Sequence, residues 1–152
     1  MRAVLTRVKS SSVTIDGQVV GKIGQGFLIL LGVGPNDTKK ECRYLAEKAL
    51  GLRIFEDENG KMNLSILDVG GEALVISQFT LLADYKKGNR PSFTDSEEPQ
   101  NAKRLYELFC EELKNCGIKR VEKGIFGADM KVSLINDGPV TICFDTDVWN
   151  AR

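Results

Sequence analysis

Ile135-Asn136-Asp137-Gly138-Pro139-Val140-Thr141 joins two apolar, β-branched runs, Lys131-Val132-Ser133-Leu134-Ile135 before it and Val140-Thr141-Ile142-Cys143-Phe144 leaving it. Asp-Gly between alternating hydrophobic residues is a strong hairpin signal, so the stretch predicts two antiparallel strands meeting at a turn. In a two-residue hairpin with Asp137 and Gly138 central, the residue at Pro139 donates its backbone N–H to the carbonyl of Asn136, and proline has no N–H to give. The turn is therefore a looser connection or a special one, with the carbonyls of Asp137 and Gly138 free to bind something. An ordinary proline-punctuated loop is the plain alternative.

Strand signals also fill the start of the chain. Residues 2–15 alternate in places and are rich in Val and Thr, which predicts two strands or one long bent strand, and Asp16-Gly17 turns the chain into Val19-Val20-Gly21-Lys22-Ile23. Phe27-Leu28-Ile29-Leu30-Leu31-Gly32-Val33 is a continuous apolar run of strand length, expected at the centre of a sheet and buried on both faces. Two helices interrupt the strands. Thr38-Lys39-Lys40-Glu41 has the form of a capping box, followed by Cys42, Leu45, Ala46, Ala49 and Leu50 on one face and by Gly51 as the stop. Residues 94–97 are a second capping-box candidate, ahead of Ala102, Leu105, Tyr106, Phe109, Cys110 and Leu113, with the end at Gly117. Short strands are expected at 53–55 and over 73–76, a weaker apolar segment at 62–67, and a tail from about residue 146, with Trp149 docked. Hairpin-like strands before and after the helices favour an α+β fold over a doubly wound sheet: one domain over residues 1–152, with a curved, barrel-like, antiparallel-rich sheet and two main amphipathic helices.

Composition narrows the function. The 152 residues suit a single core, and 21 basic residues against 21 acidic ones leave no whole-molecule attraction to nucleic acid, so any such contact depends on a local patch. No run approaches the ~20 apolar residues of a membrane span, and the chain opens directly into a strand pattern, so a cytoplasmic protein without membrane contact is expected. Cys42, Cys110, Cys116 and Cys143 show no C-x-x-C spacing and read as free, mostly packing thiols. The chain has 0 histidines, which removes Ser-His-Asp and Cys-His catalysis and most zinc hydrolase sites. No metal or cofactor is expected.

A polar cluster closes the 73–76 strand: Ser77-Gln78-Phe79-Thr80-Leu81. If the pleat persists, Gln78 and Thr80 share one face and Ser77 and Phe79 the other. Residues at the edge of the core satisfying their own backbone are the alternative. Beyond it, Lys86, Lys87 and Arg90 lie in a polar loop, suited to tracking phosphates or simply solvated.

Taken with Asn136-Asp137-Gly138-Pro139-Val140-Thr141, the motif Ser77-Gln78-Phe79-Thr80-Leu81 resembles the D-aminoacyl-tRNA deacylase (D-tyrosyl-tRNA deacylase) family. The resemblance runs from Met1 to about Phe144 and includes Arg7-Val8, Arg53-Ile54-Phe55, Gly60-Lys61-Met62-Asn63-Leu64, Arg90-Pro91-Ser92-Phe93 and Phe126-Gly127-Ala128-Asp129-Met130. It implies hydrolysis of the ester of tRNA carrying a D-amino acid or glycine, by a homodimer with active sites at the subunit interface. Ser77, Gln78 and Phe79 would bind substrate, Thr80 would act at the ester, and Gly138 and Pro139, joined by a cis peptide bond, would enter the partner's pocket and exclude L side chains. The residues alone do not predict that bond, since only ~5–6% of X-Pro bonds in folded proteins are cis. Thr80 is expected as a positioning or oxyanion residue ahead of a nucleophile, because the chain offers no obvious base but lysines and carboxylates. The alternatives are a non-catalytic nucleic-acid-binding module of the same fold, motivated by Lys86, Lys87 and Arg90, and a small-molecule esterase or amidase.

Overall fold

Arg2–Ile15 forms one 14-residue strand, β1, which is the long-bent-strand alternative, and the sheet is built on it. The computed structural model describes residues 1–150, the side chain of Asn150 excepted, so the last two residues of the expected tail lie outside the described residues. After β1 come β2 (Gln18–Ile23), β3 (Gly26–Gly32), α1 (Lys39–Gly51), the small hairpin β4 (Phe55–Glu56) and β5 (Met62–Leu64), and β6 (Glu72–Ser77). Then follow α2 (Pro99–Asn115), β7 (Val121–Lys123), β8 (Lys131–Asp145) and α3 (Thr146–Asn150).

β1 pairs antiparallel with β2, β3 and β8, while β6 lies parallel to β3 and β7 parallel to β6. The six-stranded sheet runs β2-β1-β3-β6-β7 with β8 on β1. It curls because β2 folds back toward β7: a Cβ at Gly21 would lie 2.8 Å from the Lys123 carbonyl, so only glycine permits the approach. This is the barrel-like α+β architecture expected, with a mixed sheet.

β3 is buried on both faces. Phe27, Ile29 and Leu31 join Leu5, Val75 and the inner faces of α1 and α2 in one core, and Leu28 joins Val8, Val13, Ile23, Leu74 and Ile76 in a second, inside the curl. The stripes predicted for the helices are the residues each helix buries.

Several boundaries differ from expectation. The apolar runs around Gly138-Pro139 do not form a hairpin; β8 is one strand whose two halves both pair with β1. Val8 faces Asn136 and Thr6 faces Thr141, so residues 137–140 bulge out opposite Arg7 alone. Without an N–H at Pro139 the turn cannot close on itself, and the chain rejoins the same neighbour. Residues 94–97 are not a capping box: the Glu97 N–H is taken by the Val33 carbonyl at 3.0 Å, and α2 begins at Pro99, whose fixed φ suits the first helical position. Gly51 is the last residue of α1, and Leu52 is its cap in an extended conformation. The expected tail is instead α3: Trp149 packs edge-on against Tyr44 and Phe144, with ring centroids 4.9 and 5.6 Å apart.

Candidate active site

At the end of β6, Ser77 is level with Leu31 of β3, and the Gln78 N–H donates to the Leu31 carbonyl at 2.8 Å. The pleat stops there. Gln78 turns the chain (φ −143°, ψ 78°) into a 3-10 turn over Phe79–Leu82, which fits over Gly32, where a Cβ would lie 2.9 Å from the Gln78 carbonyl. Arg2 Nη1 braces the turn from β1 by donating to the Leu81 carbonyl at 3.0 Å. The alternation expected for a continuing strand is therefore lost at Ser77. Gln78 and Thr80 still meet, because the turn sets residues two apart side by side: Gln78 Nε2 donates to Thr80 Oγ1.

Ser77, Gln78 and Phe79 form a wall shared by two cavities. The larger, about 480 Å³, is closed by Phe93, Thr94, residues 96–99, Ala102 and Tyr106 of α2, and Phe126-Gly127. The smaller, about 300 Å³, lies between the same wall, residues 126–130, and Val132. Phe79 is 57% exposed, so its ring is available to a ligand, and its other neighbour is Phe93, with centroids 5.2 Å apart and planes at 74°. Tyr106 is buried and donates its hydroxyl to the Val75 carbonyl at 2.8 Å; burial pushes its pKa far up, so it is a fixed neutral donor. Phe126 and Gly127 line both cavities and residues 128–130 the smaller one; the segment belonged to the family resemblance but was not among the expected site residues. Cys42 and Cys110 are buried, and burial pushes their thiols up to about 12, which fits packing residues.

Gly138 and Pro139 line neither cavity. The base of their loop is closed by side chains: the Val140 N–H donates to Asn136 Oδ1 at 2.9 Å, and Asn136 Nδ2 donates to Thr141 Oγ1 at 3.1 Å. Asn136 thus gives the loop a closure that the backbone of Pro139 cannot. The Asp137 carbonyl is not free, as expected from sequence, but accepts from Arg7 Nε at 2.8 Å, while Arg7 Nη1 holds the Ile54 carbonyl at 2.5 Å. The Gly138-Pro139 peptide is cis, both residues are exposed, and neither has a partner on β1. Within one chain the loop and the Ser77 wall are far apart. Ala3 is the β1 residue level with Ser77 across β3, and Arg7 is four residues further on, about 13 Å along the strand.

A family model described as D-Tyr-tRNA(Tyr) deacylase matches residues 4–145. The chain belongs to the D-aminoacyl-tRNA deacylase family. Among its relatives, the D-aminoacyl-tRNA deacylase of Thermosipho africanus is 58% identical over 146 residues, covering 96% of this chain and 97% of that protein. The D-aminoacyl-tRNA deacylase of Roseiflexus castenholzii is 56% identical over 149 residues, covering 98% and 94%. A solved structure named c-Myc DNA Unwinding Element Binding Protein is similar with a TM-score of 0.90 at 41% identity, covering 95% of this chain and 98% of that one. Another, described as a probable eukaryotic D-amino acid tRNA deacylase, shares the fold with a TM-score of 0.81 at 17% identity. Membership in the deacylase family makes the chain a hydrolase, which sets aside the non-catalytic binding module weighed from sequence. No helix among the described residues is long and apolar enough to cross a membrane.

Proposed function

We propose that this member of the deacylase family hydrolyses the ester of D-aminoacyl-tRNA and of glycyl-tRNA in the cytoplasm, that it rejects L-aminoacyl-tRNA, and that it works as a homodimer. The observation that carries the reading is the hydrogen bond from Gln78, in the wall of a cavity of about 480 Å³, to Thr80, which itself lines neither cavity, in a chain with 0 histidines. A Gln amide nitrogen donates and has no lone pair to take a proton, so Gln78 cannot activate Thr80 as a nucleophile. The bond it gives uses an acceptor site of the Thr80 oxygen and leaves the hydroxyl proton free for a substrate oxygen. Thr80 therefore stabilises the oxyanion formed when water attacks the ester carbonyl. The ester is already activated and carries a ribose hydroxyl next to the reacting bond, so positioning and oxyanion stabilisation suffice. Ser77, Gln78 and Phe79 bind the terminal adenosine and its ester.

The selectivity is assigned to Gly138 and Pro139 of the second subunit, whose carbonyls take the α-amino group and leave no room for an L side chain. Two observations support a second subunit. The loop is held by Arg7 and Asn136 yet lies away from its own cavity, and β8, which among the described residues pairs with β1 alone, exposes Ile135 at 60% and Leu134 at 42%. A 15-residue strand with an open outer edge is a pairing surface.

The test is hydrolysis of D-tyrosyl-tRNA against L-tyrosyl-tRNA. Only the D ester is expected to turn over, without an acyl-enzyme burst. Thr80→Val is expected to lower kcat by about 10²–10³, the usual cost of one oxyanion donor. Equal D and L rates would overturn the proposal, and a stoichiometric burst would make Thr80 the nucleophile.

A further inference from the structure

Between the 3-10 turn and α2 lies a loop to which the chemistry assigns no role. Asp84 and Ser92 exchange backbone hydrogen bonds, each 2.8 Å, which tie its two ends together. The Asp84 carboxylate is turned inward onto the Lys86 N–H at 3.0 Å. Lys86, Lys87 and Arg90 are exposed, and none forms an ion pair among the described residues. In a chain of 21 basic and 21 acidic residues, three neighbouring cations without carboxylate partners form a local positive patch.

Its position is fixed by Phe93. That residue follows Ser92 directly, lines the larger cavity, and meets the Phe79 ring on the cavity wall. The three cations stand three to seven residues from Phe93 along the chain, which limits their reach to roughly 10–25 Å from the lip. Glu97 and Glu98 line the same cavity beyond Phe93. A polyanion leaving the cavity is repelled on that side and attracted toward the loop. Tyr85, 74% exposed at the start of the loop, offers a ring face to an unpaired base.

We propose that Lys86, Lys87 and Arg90 bind backbone phosphates of the substrate's acceptor end just upstream of the terminal adenosine, so that the loop selects an aminoacyl ester carried on RNA over a free one. The inference rests on the aminoacyl-tRNA reading of the cavity. The test compares the full chain with a Lys86→Ala, Lys87→Ala, Arg90→Ala variant on D-tyrosyl-tRNA and on D-tyrosyl-adenosine, which presents the same ester without phosphates. For the tRNA substrate, KM is expected to rise about tenfold or more, and the slope of log kcat/KM against log salt to flatten by roughly 2, the loss from up to three single-strand phosphate contacts. Turnover of D-tyrosyl-adenosine and kcat on saturating tRNA should be unchanged. An unaltered KM and salt slope on tRNA would overturn the clamp, as would an equal loss on both substrates, which places the effect in the cavity or the fold. If the unmodified chain cleaves neither D ester, the reading of the cavity fails first and the clamp with it.

Discussion

At the scale of single residues the loop of β8 is set by Gly138 and Arg7. Gly138 has φ +138°, and a Cβ there would lie 2.7 Å from Val140 Cγ2 and 3.0 Å from Arg7 Nη2. Gly138→Ala therefore meets an unfavourable backbone conformation and two contacts that leave no space, at a cost of about 1–3 kcal/mol. Because Gly138 and Pro139 are exposed and the loop is held to the sheet through Arg7 and Asn136, the expected result is a folded protein with a modestly lower Tm and a large loss of D-tyrosyl-tRNA hydrolysis. Thermal melting beside the deacylation assay checks this, and a variant with both intact would remove the loop from the site. What the residues disclosed here was partial. The missing N–H at Pro139 marked the turn as abnormal, but the Asp137 carbonyl is occupied by an arginine 130 positions away, which no local pattern announces.

At the scale of elements, helix faces were legible because a 3.6-residue period records which side is buried, whereas helix starts depended on competing backbone contacts. Thr38 and Glu41 form the predicted box: the Thr38 N–H donates to Glu41 Oε2 at 2.8 Å and the Thr38 hydroxyl to the same oxygen at 2.6 Å, while Thr38 Oγ1 accepts from the Lys40 N–H at 3.2 Å. The similar string at 94–97 failed because its glutamate N–H was already committed to Val33. Partial burial acts to raise the Glu41 pKa, but the hydrogen bonds from the Thr38 side chain and backbone outweigh it and the net shift is downward. A carboxylate with a lowered folded pKa contributes stability that is present above its unfolded pKa and lost as pH falls through the folded one. Thr38→Ala is expected to cost about 1 kcal/mol at neutral pH. In urea titrations, the gap between the unmodified chain and Glu41→Gln should close as pH is lowered from 7 toward about 3. A gap independent of pH would mean that the Glu41 charge adds nothing to the cap. The polar wall shows the same division: its residues were legible as a cluster, but the 3-10 turn that pairs Gln78 with Thr80 depends on Gly32 in another strand.

At the scale of the whole molecule, strand partners were the least legible feature. β1 takes three neighbours, and one of them is the last strand of the chain, so its pairing rests on contacts of the longest sequence separation. The same topology splits the proposed site: within one chain the Ser77 wall is level with Ala3, near the start of β1, and the Gly138 loop lies opposite Arg7, near its middle. If a second copy supplies the loop, light scattering should give about twice 16.8 kDa. A sharper consequence follows from two-fold symmetry. A Thr80→Val chain retains a good loop and a Gly138→Ala chain retains a good wall, and a dimer of the two has one site in which both halves are unmodified. Co-refolding the two inactive variants in equal amounts makes about half the dimers mixed, so roughly a quarter of the unmodified activity should return. If wall and loop instead served the same chain, every site would carry a defect and mixing would restore nothing. Measuring deacylation before and after mixing therefore decides whether the site is shared between subunits, independently of how tightly they associate.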